Sequence, residues 1–184
     1  CNIRPIRRLF VNYRSKKVIE NSLPPLIKNV TCAVTGHRNI PDDLDFNAVV
    51  EELKNIVSHG YEYFLDGLAL GFDSVCFRAL ELLRESGEKV KIVGVMPCAD
   101  QSRNFTKEQK AEYERMKKSA DILLGEPRTY FRGCMLVRDD FLVNNSTLIF
   151  AGYSGIKRGG TYYTIKRAAE KGVEVRFFAF NERK

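Results

Sequence analysis

No run of apolar residues in this chain approaches the ~20 needed for a helix to cross a bilayer, so no membrane-spanning helix and no membrane partner are expected. Paired cysteines are missing too. The five cysteines stand at 1, 32, 76, 98 and 134, an odd number with no Cys-x-x-Cys among them. That spacing argues against a disulfide framework and against a zinc site, and it fits a reducing cytoplasm, the location we expect. No set of residues has metal-ligand spacing, so no metal is expected. A signal-peptide pattern is also missing. The chain opens at Cys1 rather than Met, as expected where something upstream has been lost, and a lipid-modified Cys1 is a lesser alternative.

Acidic residues are scarce at one end only. Residues 1–28 contain Arg4, Arg7, Arg8, Arg14, Lys16, Lys17 and Lys28 against Glu20 alone, a charge of +6. The rest of the chain carries only the remaining +1 of the +7 total. The excess is therefore a basic extension and not a basic domain. A solvated tail explains it better than a nucleic-acid site, though such a segment can touch anionic partners. Residues 1–28 read as an extension with some helix around Ile6 to Val11, ending in the linker-like Leu23-Pro24-Pro25. Residues 29–184 read as one domain, large enough for a single core.

What is present is a strict alternation. Short apolar runs at residues 30–35, 63–65, 90–96, 121–124, 148–151 and 173–180 read as strands. Helical patterns lie between them, at about 45–59, 74–85, 106–118, 134–145 and 161–171. Thr106 and Gln109 have capping-box spacing, and Gly60 and Gly172 stand where helices stop. Alternation of this kind predicts an α/β protein: an open parallel sheet of about six strands with helices on both faces. A ligand then sits outside the carboxyl ends of the strands, where the strand order reverses.

The unusual loops all fall at that edge. After the fifth strand comes Gly159-Gly160-Thr161, which reads as a tight turn with Thr161 capping the next helix. The free N–H groups there suit a phosphate, although two glycines can also simply turn the chain. Thr35-Gly36-His37-Arg38 offers backbone donors, an imidazole and a guanidinium. His37 can act as acid or base, since its ordinary pKa is ~6.5, but a binding or structural role is favoured because no motif gives it a proton to move. Arg38 and Arg138 suit phosphate or carboxylate through bidentate geometry, or are surface arginines. Gly67 and Gly71 bracket a turn that includes Ala69, and Asp73 beyond it is either an N-cap or a partner for a ribose hydroxyl. Pro97 and Gln101 flank the loop after the third strand. Cys98 as a nucleophile is a weak reading, because buried thiols are commonly inert. Tyr130 and Phe131 either stack on a base or cover the core edge.

Taken in order, Thr35-Gly36-His37-Arg38, Gly67-Leu68-Ala69-Leu70-Gly71-Phe72-Asp73, Pro97-Cys98 with Gln101, Gly133-Cys134-Met135-Leu136-Val137-Arg138 and Gly159-Gly160-Thr161-Tyr162-Tyr163-Thr164 resemble the YpsA-like branch of the SLOG superfamily. That superfamily takes its name from the DNA-processing Smf/DprA proteins and the plant enzyme Lonely Guy. The resemblance spans roughly residues 29–180. It implies a Rossmann-like domain that binds nucleotides or ADP-ribose-like derivatives, in a bacterial branch linked to cell division or stress.

The enzyme branch cleaves the base from cytokinin nucleoside monophosphates with an Arg and a Glu. Here its Met-x-x-Arg-Lys segment looks like Met135 to Asp139, keeping Arg138 but placing Asp139 at the Lys position. Its glutamate position carries Thr164, which can be neither an anionic partner nor an efficient base near neutral pH. The reading is therefore a module that binds or senses a small nucleotide derivative. The alternatives are an N-glycosidic or phosphoribosyl hydrolase using Asp73, Arg138 or Asp139, and a single-stranded DNA binder, which the near-neutral domain disfavours. By analogy of fold, a homodimer is also an expectation.

Overall fold

The computed structural model describes residues 9–12, 18–20 and 25–180. Six strands form a parallel sheet: β3 (Thr31–Gly36), β4 (Tyr63–Asp66), β5 (Lys91–Met96), β6 (Ile122–Gly125), β7 (Leu148–Tyr153) and β8 (Glu174–Ala179). They lie in the order β6-β5-β4-β3-β7-β8, so the winding reverses between β3 and β7. These strands are four to six residues long, and β3 to β7 are almost continuously apolar because both their faces are covered, whereas β8 at the edge is half-exposed. Val34 and Phe150 pack on one face, while Ala33, Ile149 and Ala151 pack on the other.

Helices α2 (Phe46–Ser58), α3 (Phe72–Glu85) and α4 (Lys107–Ser119) cover the first face through Val49, Leu53, Phe77, Leu80 and Met116. The second face lies under α5 (Cys134–Asn144) and α6 (Gly159–Lys171), which contribute Phe141, Leu142 and Ala168. The short α1 (Pro25–Lys28) adds Ile27 there. The helix ends follow the sequence signals. Asp45 caps α2, Thr106 and Gln109 form the capping box of α4, and Gly172 closes α6 with φ 67°.

One expectation fails in the basic extension. In place of the helix read around Ile6 to Val11, the described residues there form β1 (Leu9–Asn12), which β2 (Val18–Glu20) follows before α1. β1 pairs antiparallel with both β2 and β6, so the extension lengthens the sheet at its β6 edge. A free strand edge recruits any chain able to satisfy its N–H and C=O groups, and this tertiary demand overrides a weak helical pattern. Leu23 and Pro24 lie outside the described residues, as does the start of the stretch read as helical.

At the reversal, Gly36 of β3 and Gly152 of β7 are paired neighbours. A Cβ on either would come within 2.4 or 2.3 Å of the Phe72 side chain. The two glycines thus open a slot for this buried ring. Phe72 N–H donates to the His37 carbonyl at 3.1 Å, which fixes the loop after β3 against the start of α3.

Candidate functional site

The loops after β3 and β7 meet in a hollow of about 380 Å³ at the reversal of the sheet. Residues 35–38 form one wall and residues 158–161 the other; Ala69, Asp73, Met135, Arg138 and Asp139 line the space between. Most of the residues expected at the site are therefore brought together. Gly67, Gly71, Pro97, Gln101 and Thr164 are not on this surface, and four of the five hold it in place.

Gly67 accepts from Arg138 through its carbonyl at 2.9 Å, and a Cβ at Gly67 would lie 1.8 Å from that guanidinium. Gly71 has φ 87° and presses on the carbonyls of His37 and Arg38, so only glycine fits there. Gln101 donates to the carbonyls of Gly67 and Leu68 and accepts from Tyr113. Thr164 is fully buried and donates to the Gly160 carbonyl within α6, turned away from the hollow. Pro97 follows β5 and precedes the buried Cys98, whose thiol burial pushes up to about 12; such a thiol is no nucleophile at neutral pH.

Two capping roles need correction. Asp73 does not cap α3: Gly71 is the N-cap and Asp73 lies inside the first turn, its carboxyl accepting from Ala69 N–H. Thr161 likewise lies in the first turn of α6 behind the N-cap Arg158, and no side chain caps that end. The start of α6 is backbone N–H facing a hollow, the arrangement that favours an anion.

The floor is the opposite in character. Asp66, Asp73, Arg138 and Asp139 are all buried, at 0%, 4%, 9% and 3% exposure, and the Arg138 guanidinium attracts all three carboxyls, joined at Asp73 by Arg38. Arg138 Nε donates to Asp139 Oδ1 at 2.8 Å. Burial pushes the Asp73 carboxyl up to about 7 against the pull of Arg138. Asp66 rises well above the usual carboxylate range, first through burial and then through Asp73. Its Oδ1 accepts from Leu68 N–H at 2.7 Å, whereas Oδ2 is buried with no hydrogen-bond partner among the described residues. A protonated Asp66 relieves that cost.

His37 is held rather than poised. Its ring stacks on Tyr153 at 5.4 Å between centroids, and Nε2 lies 3.1 Å from Ser154 Oγ. Tyr130 is half exposed at the mouth of a second, smaller cavity, while Phe131 packs against the core. Sequence reasoning passed over Asp66 and Arg158, and it quoted Met135 in a motif without giving it a place in the site. The signals were thin: an aspartate ending an apolar strand, and an arginine just before Gly159-Gly160. Among the described residues no three His, Cys, Asp or Glu side chains are arranged to hold a metal ion, and no helix is long and apolar enough to cross a membrane.

These features define a Rossmann-like α/β protein with a polar crevice at the switch point of its sheet. Residues 46–180 match the YpsA family model, described as the YspA SLOG family, and the chain belongs to that family. The match begins after the loop at residues 35–38. Among curated proteins, the uncharacterized SPbeta prophage-derived protein YoqJ of Bacillus subtilis (strain 168) is 27% identical over 124 residues, covering 61% of this chain and 71% of that protein. The fold is shared with DNA processing protein A (DprA) of Streptococcus pneumoniae, at a TM-score of 0.61 and 20% identity over 86% of this chain. This chain spans about half of that one, 52%. DprA of Helicobacter pylori, whose structure concerns single-stranded DNA binding, gives a TM-score of 0.59 at 14% identity, covering 87% of this chain and 70% of its own.

Proposed function

We propose that the hollow binds the phosphorylated ribose of a small nucleotide derivative. The observation that carries this reading is the shared cavity: the backbone N–H groups that open α6 and the loop after β3 line one space. The phosphate sits at the α6 end, beside the exposed Arg158 and Arg38. The sugar hydroxyls face Asp73 and Asp139, since carboxyl oxygens are acceptors for O–H donors and repel phosphate. Binding is preferred over turnover because the position that carries the catalytic carboxylate in the resembling enzyme branch holds the buried Thr164.

One observation favours N-glycosidic hydrolysis as a second reading. Asp73 lines the hollow with a carboxyl raised to about 7, which suits an acid or base near neutral pH. Single-stranded DNA, which DprA of Helicobacter pylori binds, is a weaker fit, since the floor of this hollow is acidic and phosphate-driven affinity needs clustered cations.

Thermal-shift titration with nucleoside monophosphates and ADP-ribose, with chromatography of each mixture, tests all three. Saturable stabilisation without released base supports binding. Released base that disappears in Asp73→Asn supports the hydrolase. A flat panel with salt-sensitive oligonucleotide binding overturns both.

A further inference from the structure

A second cavity of about 160 Å³ adjoins the hollow, and Arg38 and Met135 line both. Together the two volumes lie within the ~300–1,000 Å³ of small-molecule sites. The smaller compartment differs from the larger in charge. Its Asp100 accepts from Tyr130 N–H at 2.6 Å and pairs with Arg103 at 3.8 Å. The Arg103 guanidinium in turn lies over the Tyr130 ring, 4.1 Å from its centroid. The charges of Asp100 and Arg103 are thus spent on each other and on the wall, which leaves Arg38, shared with the larger hollow. Leu70, Phe105, Tyr130 and Met135 supply apolar surface, and Asn104 supplies an exposed amide at the mouth. Gln101 spends its Nε2 donors on the carbonyls of Gly67 and Leu68 and already accepts from Tyr113 at Oε1, so it fixes the back of the compartment.

Such a space disfavours a second phosphate, which would meet the Asp100 carboxylate, and suits a neutral planar group with a hydrogen-bonding edge. We propose that this compartment is a base subsite: the heteroaromatic ring of a ribonucleotide lies between Tyr130, Phe105 and Leu70, with its edge toward Asn104. The assignment rests on the phosphate-binding reading of the larger hollow and names the ligand class, a nucleoside monophosphate unit and not a bare sugar phosphate.

Calorimetric titration of the full chain with ribose 5-phosphate and with AMP, GMP, CMP and UMP tests it. At least one nucleotide binds on the order of 10-fold more tightly than ribose 5-phosphate, the gain of stacking one base. Tyr130→Ala, which removes the stacking ring, and Asn104→Trp, which fills the mouth from an exposed position, each abolish that advantage and leave ribose 5-phosphate affinity unchanged. Equal affinities for sugar phosphate and every nucleotide, or an advantage that survives both substitutions, overturn the base subsite while leaving the phosphate site standing. Failure of all five probes to bind overturns both.

Discussion

The wall of the hollow at α6 is exposed backbone with arginines beside it, whereas the floor a few residues away is buried carboxyl around a single guanidinium. Arg158, Gly159 and Gly160 are exposed; Asp66, Asp73, Arg138 and Asp139 are not. In the exposed half, N–H groups and cations are already hydrated, so they exchange water for a ligand at little structural cost. In the buried half, each charge is balanced only by its neighbours, so a change there disturbs the fold before it disturbs binding. Residues of similar chemistry, Arg158 and Arg138, should therefore fail in different assays.

The largest effect is expected for Arg138→Ala. It strands three buried carboxyls and removes a donor from the Gly67 carbonyl, and should lower unfolding free energy by roughly 3–5 kcal/mol in urea denaturation. Gly160→Glu is the converse. Its Cβ has space, meeting only Asp139 Oδ2 at 3.4 Å, so stability stays within about 0.5 kcal/mol. The new carboxylate takes the anion's place at the helix end, and affinity for a nucleotide phosphate in calorimetry falls by about tenfold or more.

The floor also sets a pH dependence. Asp73 rises from an ordinary 3.8 to about 7 on folding, so the folded chain binds its proton more tightly. That contribution to stability is complete below about pH 4 and is lost as pH climbs to about 7. Asp66 and Asp139 shift in the same direction. Acids held low, such as Glu112 at about 2, act below this window. Melting temperature measured from pH 4.5 to 7 should fall, and fall less steeply in Asp73→Asn. The smallest effect is Arg158→Ala, an exposed cation: roughly two- to fivefold weaker phosphate binding at low salt, vanishing at high salt, with no change in melting temperature.

The sheet and its two helical layers were legible because strands covered on both faces are short apolar runs, and residues 31–36 and 148–153 read as such without neighbours. The meeting of the loops was legible for a topological reason, since strand ends of a parallel sheet share one edge. Asp66 was not legible. Its type suggests a solvated loop, and only the packing of α3 and the Gly67 turn shows it buried beside Asp73. The capping roles of Asp73 and Thr161 misread because a helix start shifts, by two residues at Gly71 and by three at Arg158, when a glycine or an arginine backbone can take the N-cap instead. Leu9 to Val11 misread because an edge strand is created by its partner, β6, which is 114 residues away in sequence where Val11 meets Gly125 and 112 where Asn12 meets Leu124.

Amide NMR during a titration with AMP addresses the shared hollow most directly. The account predicts that the N–H signals of Gly36 and His37 on one wall and of Gly160 and Thr161 on the other shift along a single saturation curve. Saturation that moves only one of the two loops, or neither, would contradict it.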